Sequence, residues 1–185
     1  ATHTADLAID FGRKTKNLVD EPHYRELFPT RLQEDSQAAG KWKTEQGGEY
    51  FAAGVGGAIT GRGADLLIID DPHSEQDALS ANAYDNAYEW YTSGPRQRLQ
   101  PGGTIIIVQT RWSKKDLTGR LLQAQAKDSM ADQWDLIEFP AIMPSGEPLW
   151  HEFWKKEELL KVKASLSPGK WNAQWQQDPT SDEVA

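Results

Sequence analysis

A continuous apolar run, Leu66-Leu67-Ile68-Ile69, leads straight into two aspartates, Asp70 and Asp71, and is stopped by Pro72. Paired carboxylates at the end of a rigid strand are what magnesium-assisted phosphate hydrolysis requires, because the backbone then fixes a carboxylate where the metal must sit. In hydrolases with a phosphate-binding loop, the first such acid holds the magnesium ion that bridges the β- and γ-phosphates of the nucleotide. In the branch that uses a second acid, the next residue orients or activates the attacking water. Those roles fall here on Asp70 and Asp71. The pair alone leaves alternatives open: many ligands bind at the carboxyl ends of strands in open α/β sheets, and an aspartate there can simply cap the following turn.

A second apolar run, residues 104–108, ends in Gln109-Thr110-Arg111-Trp112. A neighbouring strand that ends in polar residues is where a γ-phosphate sensor sits, which singles out Thr110 and Arg111; a salt bridge from Arg111 to Asp70 or Asp71 is the structural alternative. Ahead of the first run lies a stretch with Gly54, Gly56, Gly57, Gly61 and Gly63, and Arg62 stands between the last two. No phosphate-binding loop of the form Gly-x-x-x-x-Gly-Lys-Ser/Thr occurs. The Gly-Lys pairs, Gly40-Lys41 and Gly169-Lys170, are each followed by Trp and lack a glycine five positions earlier.

The elements that must position these residues are legible from periodicity. Leu7, Ala8, Phe11, Leu18 and Val19 recur at helical spacing over residues 4–20, with Thr4 as cap, Gly12 as an interruption and Pro22 as a stop. Tyr24, Leu27 and Phe28 suggest one short apolar turn before Pro29. Residues 41–44 and 49–53 predict two strands joined through Gln46-Gly47-Gly48. The unalternating run 66–69 predicts a strand buried on both faces, as in a parallel sheet covered by helices. A helix over 77–92 places Tyr84, Ala87, Tyr88 and Tyr91 on one face, and Pro101-Gly102-Gly103 reads as a turn before the second strand. Ser113 with Asp116 resembles a capping box for a helix bearing Leu117, Leu121 and Ala124. A strand over 134–139 closes at Pro140. Pro144, Gly146 and Pro148 mark an irregular connection to helices over 155–166 and 168–177, the latter capped by Ser167 with Pro168 at its first position. The acidic end at 181–183 reads as a cut linker. Strands alternating with helices predict an α/β three-layer fold.

Composition sets outer bounds. At 185 residues the chain suits one domain with a sizeable core and a small appendage. A formal charge of −8 argues against coating nucleic acid by bulk electrostatics, while leaving room for a motor that touches DNA through one local surface. No apolar stretch approaches the roughly 20 residues that span a bilayer, and the N-terminus shows no signal-peptide pattern. The absence of cysteine excludes disulfides and Cys-based zinc sites and fits a reducing cytoplasm. The eight tryptophans show no repeat period, which points to core and lid packing.

Several segments together resemble the large terminase subunit of tailed bacteriophages: Gly47-Gly48-Glu49, the stretch from Gly54 to Asp65, the run into Asp70-Asp71, Thr110-Arg111-Trp112 with Asp116-Leu117, Pro140-Ala141-Ile142, Leu149-Trp150, and Trp175-Gln176-Gln177-Asp178-Pro179. They occur in family order from residue 1 to about 179. The resemblance implies a P-loop NTPase core of the ASCE type, mostly parallel in its sheet and lacking its first strand and P-loop, over residues 1–139. Residues 140–185 then form a lid subdomain and a linker toward an absent nuclease domain. It further implies that Asp70 is the Walker B metal acid and Asp71 the catalytic carboxylate, where the family commonly has the longer Glu. Gln109-Thr110-Arg111 matches the motif that couples hydrolysis to lid movement. Arg62 matches an arginine proposed to act in trans on the neighbouring subunit's nucleotide; a solvated loop arginine is the alternative.

On this reading the chain is a fragment of an ATPase that uses ATP and Mg²⁺ to drive double-stranded DNA into a procapsid in the host cytoplasm. Its partners are the portal protein, the small terminase subunit and further copies of itself in a ring, with no membrane. By itself the fragment is expected to be inactive. The competing readings are a P-loop-less scaffold or interaction module and a helicase-like ATPase, which shares the acid pair.

Overall fold

In the computed structural model, which describes residues 1–59 and 61–179, the chain divides into two units. The first comprises Ala1–Ser74 and Glu89–Val108, the second Glu75–Tyr88 and the chain from Gln109 onward. Both helices and strands are present, so the α/β class holds. The expected boundary after residue 139 falls inside the second unit. Among the described residues no helix is long and apolar enough to cross a membrane.

The first unit begins with helix α1 (Ala5–Asp20), where the Thr4 hydroxyl accepts from the Leu7 amide as the expected cap. Helix α1 ends just before Pro22, as expected, and the short apolar turn before Pro29 is a helix of its own, α2 (Pro22–Leu27), which Pro22 starts because proline suits a first helical turn whose amides are unpaired anyway. An antiparallel sheet follows in the order β1 (Leu32–Ala38), β2 (Lys41–Thr44), β3 (Glu49–Phe51). The β2–β3 hairpin was expected. Strand β1 was not, since its Gln, Glu, Asp and Ser residues give no apolar alternation and it is mostly solvent-facing. Val19, Leu32 and Trp42 form the small core under this sheet, with Tyr50 stacked on Trp42 at 4.9 Å between centroids.

The second sheet pairs β4 (Ala64–Asp70) with β5 (Leu99–Val108) in parallel. The expected turn at Pro101-Gly102-Gly103 is instead a bulge within β5. Ala64 faces Leu99 and Leu66 faces Thr104, so the extra residues are absorbed inside the ladder, with Gly102 at φ +80°. From Leu66 to Asp70 the register is then regular. Burial on both faces does not hold. Ile69 is fully buried, but Leu66, Ile68, Ile106 and Val108 are exposed. An apolar run reports that both faces avoid polar groups; it cannot report that this chain supplies both covers.

The expected helix over 77–92 splits into a 3-10 turn (Asp77–Leu79) and α3 (Ala81–Ser93), with the Ser80 hydroxyl accepting from the Ala83 amide at the break. In the second unit, α4 (Leu117–Lys127) is capped by Asp116 rather than Ser113. Residues 134–139 form no strand. The Trp134 amide donates to the Gln125 side chain at 2.7 Å, and Leu136, Ile137 and Phe139 are exposed. A strand exists only where a neighbour accepts its backbone pairs, and none of the described residues does so there. Helix α5 (Lys156–Ser165) is as expected. The last one starts at its Ser167 cap as α6 (Pro168–Lys170) but widens into a π-helical turn (Trp171–Trp175), with Trp171 and Trp175 stacked. The acidic end at 181–183 lies outside the described residues.

Gly12, an interruption by propensity, has a packing reason. A Cβ there would lie 2.4 Å from the Ala39 carbonyl oxygen, and the Gly12 carbonyl itself accepts from the Trp42 indole at 3.2 Å. Gly12→Ala should therefore destabilise the chain by about 1–3 kcal/mol, against the ~1 kcal/mol gain that helix propensity alone gives alanine. Chemical denaturation of the two proteins checks the sign.

Candidate functional site

The carboxylate pair sits where β4 leaves the sheet. Asp70 is in register with Val108, and the Asp71 amide donates to the Val108 carbonyl at 2.8 Å, so pairing continues one residue past the strand. Asp71 then takes φ +40°. A left-handed backbone is uncommon outside glycine and costs on the order of 1–3 kcal/mol where the surroundings impose it. Pro72 follows, buried. On the other edge of β4, the Asp70 amide donates to the Ala1 carbonyl at 2.8 Å and the Ala1 ammonium donates to the Ile68 carbonyl at 2.6 Å. Thr2, fully buried, continues this edge as a bridge to Gly54.

Burial pushes the Asp70 carboxyl above its ordinary value of 3.8, and the neighbouring Asp71 charge pushes it further; the Ala1 ammonium and His3 oppose both. A carboxylate held in this way gains from a cation. Among the described residues no group of three or more His, Cys, Asp or Glu could hold a metal ion. Magnesium asks for less, since it keeps several waters and takes one or two carboxylates plus substrate phosphates. The Asp70–Asp71 pair matches that donor set.

Arg62 belongs to the same unit, and its contacts are with β3. Its guanidinium donates to Glu49 and lies 4.2 Å above the centroid of the Phe51 ring. Lys43 approaches the other Glu49 oxygen at 3.7 Å. Gly61 carries φ +79°, the backbone freedom expected beside this arginine.

Thr110 and Arg111 lie in the second unit. The Arg111 Nε donates to both Asp116 oxygens, at 3.2 and 3.0 Å. Asp116 has no exposed surface and also accepts from the amides of Trp112, Ser113 and Gly119. One carboxylate thus caps α4, folds the preceding turn and anchors Arg111. The Arg111 amide donates to the Gln177 side chain at 3.2 Å, and Gln177 is the other non-glycine with positive φ among the described residues, at +58°. Thr110 is half-buried beside Gln109, whose side-chain oxygen accepts from Thr118 at 3.0 Å while its buried Nε2 has no hydrogen-bond partner.

No family model matches this chain, and no curated protein matches it. Sequence reasoning placed Asp70, Asp71 and Arg62 correctly on a strand end and a loop, but missed Glu49, Asp116 and Gln177 as the groups that hold the two arginines. Asp116 had a signal, three residues after Ser113 and just before an apolar helix. Gln177 stood in the family-like segment 175–179, but nothing in its type announces a left-handed backbone or a bond to Arg111.

Two outcomes follow for this region. Because the folded chain binds a proton at Asp70 more tightly than the unfolded one, that group's contribution is fully present below its ordinary value and is lost as pH rises through the raised one. Asp70→Asn should thus raise the melting temperature at neutral pH, with the gain shrinking on acidification; thermal unfolding across pH reads it directly. Asp116→Ala should cost about 3–5 kcal/mol by leaving Arg111 buried without its partner, measurable by denaturant titration.

Proposed function

We propose that this chain is part of the ATPase domain of a terminase large subunit, a motor that hydrolyses ATP to move double-stranded DNA into a procapsid in the host cytoplasm. The observation that carries the reading is the parallel strand pair ending in Asp70-Asp71, with Asp71 in a left-handed backbone and Asp70 resisting ionisation. The order of the family-like segments along the chain supports it. On this reading the fold is a three-layer P-loop NTPase core with a lid, and the exposed face of β4 and β5 is where further core packs.

Each residue then has a task. Asp70 would hold the Mg²⁺ of the bound nucleotide. The ion would supply neutralisation of the charge that develops on the phosphates. Asp71 orients the attacking water and takes its proton. The left-handed backbone that turns Asp71 out of the strand fits a role distinct from that of Asp70. Arg111, held rigidly by Asp116, and Thr110 sense the γ-phosphate. Arg62 serves the nucleotide of the next subunit in a ring, and the portal protein and small terminase subunit complete the machine.

The purified chain should hydrolyse ATP negligibly. Joined to an upstream segment bearing a Gly-Lys-Ser/Thr loop, it should turn over ATP and separate the two acids. Asp70→Asn weakens Mg²⁺-nucleotide affinity, whereas Asp71→Asn keeps affinity and loses turnover. Equal loss of affinity in both variants, with the same residual rate per bound nucleotide, would show that the roles are not divided. Steady turnover by the purified chain itself, removed by Asp70→Ala, would show that its phosphate site is complete without that loop.

A further inference from the structure

We propose that Glu49 and Phe51 of β3 form a parking site for Arg62, holding its charge in reserve until the phosphate of a nucleotide on a neighbouring copy displaces Glu49. This rests on the reading of Arg62 as an arginine that acts in trans, and it adds a regulatory role for residues that reading leaves unassigned.

The geometry is specific. The Arg62 guanidinium donates to Glu49 Oε1, and its central carbon lies over the Phe51 ring, 4.2 Å from the centroid. Glu49 and Phe51 lie two residues apart on β3, so their side chains leave the strand on the same face and together make one seat. Arginine suits it, because a planar guanidinium pairs edge-on with a carboxylate while stacking face-on against a ring. Arg62 retains 29% of its side-chain exposure and Glu49 31%. Such a pair is solvent-screened and weak, and the ring adds a comparable increment. That strength fits a resting place. A carboxylate and a ring hold the arginine against wandering, yet a phosphate with more charge and several acceptor oxygens outcompetes a single carboxylate that water also reaches. Lys43, at 3.7 Å from the second Glu49 oxygen, remains to balance Glu49 once Arg62 leaves. Gly61, already in a left-handed backbone, gives the loop the freedom to swing.

The parking site is read first without any nucleotide. Phenylglyoxal modifies accessible arginines, and peptide mass spectrometry reports each site separately, with Arg13 and Arg25 as internal references. Glu49→Gln should speed labelling of Arg62 roughly two- to fivefold, the range that a weak exposed pair supports, and leave the references unchanged. Phe51→Leu should act in the same direction. Equal Arg62 labelling in wild type and Glu49→Gln overturns the proposal, as does a rise shared by the references, which would report general loosening.

The second arm uses the full-length protein under ring-forming conditions. Glu49→Gln should raise ATP turnover at limiting subunit concentration by a similar factor, Arg62→Ala should abolish the subunit-stimulated part, and the double variant should match Arg62→Ala. A fall in turnover on Glu49→Gln, with Arg62 labelled faster, overturns parking in favour of a positioning role for Glu49. If Arg62→Ala leaves turnover untouched, the trans reading of Arg62 fails and takes the parking role with it, a failure distinguishable because faster labelling would still report the seat on β3.

Discussion

Parallel pairing between β4 and β5 is the constraint from which the carboxylate site follows. A parallel ladder has evenly spaced, slanted hydrogen bonds, so a shift anywhere along it would move every residue at its end. The bulge in β5 absorbs the extra residues between Leu99 and Thr104, and from there each residue of β4 meets its partner without a slip until Asp70 meets Val108. Ile69, with no exposed surface, locks that register from the buried face. The Asp71 amide uses the next carbonyl, and only then does the backbone turn left-handed. Asp70 thus ends the regular strand and Asp71 stands at the point where the backbone leaves it.

Charge is organised around carboxylates that hold cations. Glu49 holds Arg62, Asp116 holds Arg111, and Asp85 holds Arg120 at 2.9 Å over the Tyr88 ring. These pairs differ in kind. Asp116 is fully buried and takes amides as well as Arg111, so that ion pair is rigid and costly to break. The Glu49–Arg62 pair keeps about a third of its exposure to water and is separable. The same two residue types thus make a fixture in one place and a reversible contact in the other, and burial makes the difference.

The second unit is knitted by glutamines to a degree that its aromatic content conceals. Gln176 donates to and accepts from the Ile142 backbone, each at 3.0 Å, while Gln177 accepts from the Arg111 amide. The π-helical turn at Trp171–Trp175 lies immediately before these two residues, and its wider winding sets the direction in which they leave. Stacking of Trp171 on Trp175, and the edge contact of Trp154 with Trp175, support that turn.

Local chemistry was enough to read much of this from the sequence. The Thr4 and Ser167 caps, the β2–β3 hairpin, the two apolar strands and the carboxylates that end the first of them all depend on near neighbours in the chain. What the sequence could not decide depends on contacts between distant segments. Strand β1 is polar and exists because β2 lies beside it, whereas residues 134–139 are mostly apolar and form no strand because no described segment pairs with them. The Pro-Gly-Gly that spells a turn became a bulge because β4 continued alongside it. Partners followed the same rule. Arg62 and Arg111 could be singled out by type and place, but Glu49, Asp116 and Gln177 were chosen by folding, since a hydrogen bond or ion pair is decided by distance in space and residue type sets only what each group is able to accept.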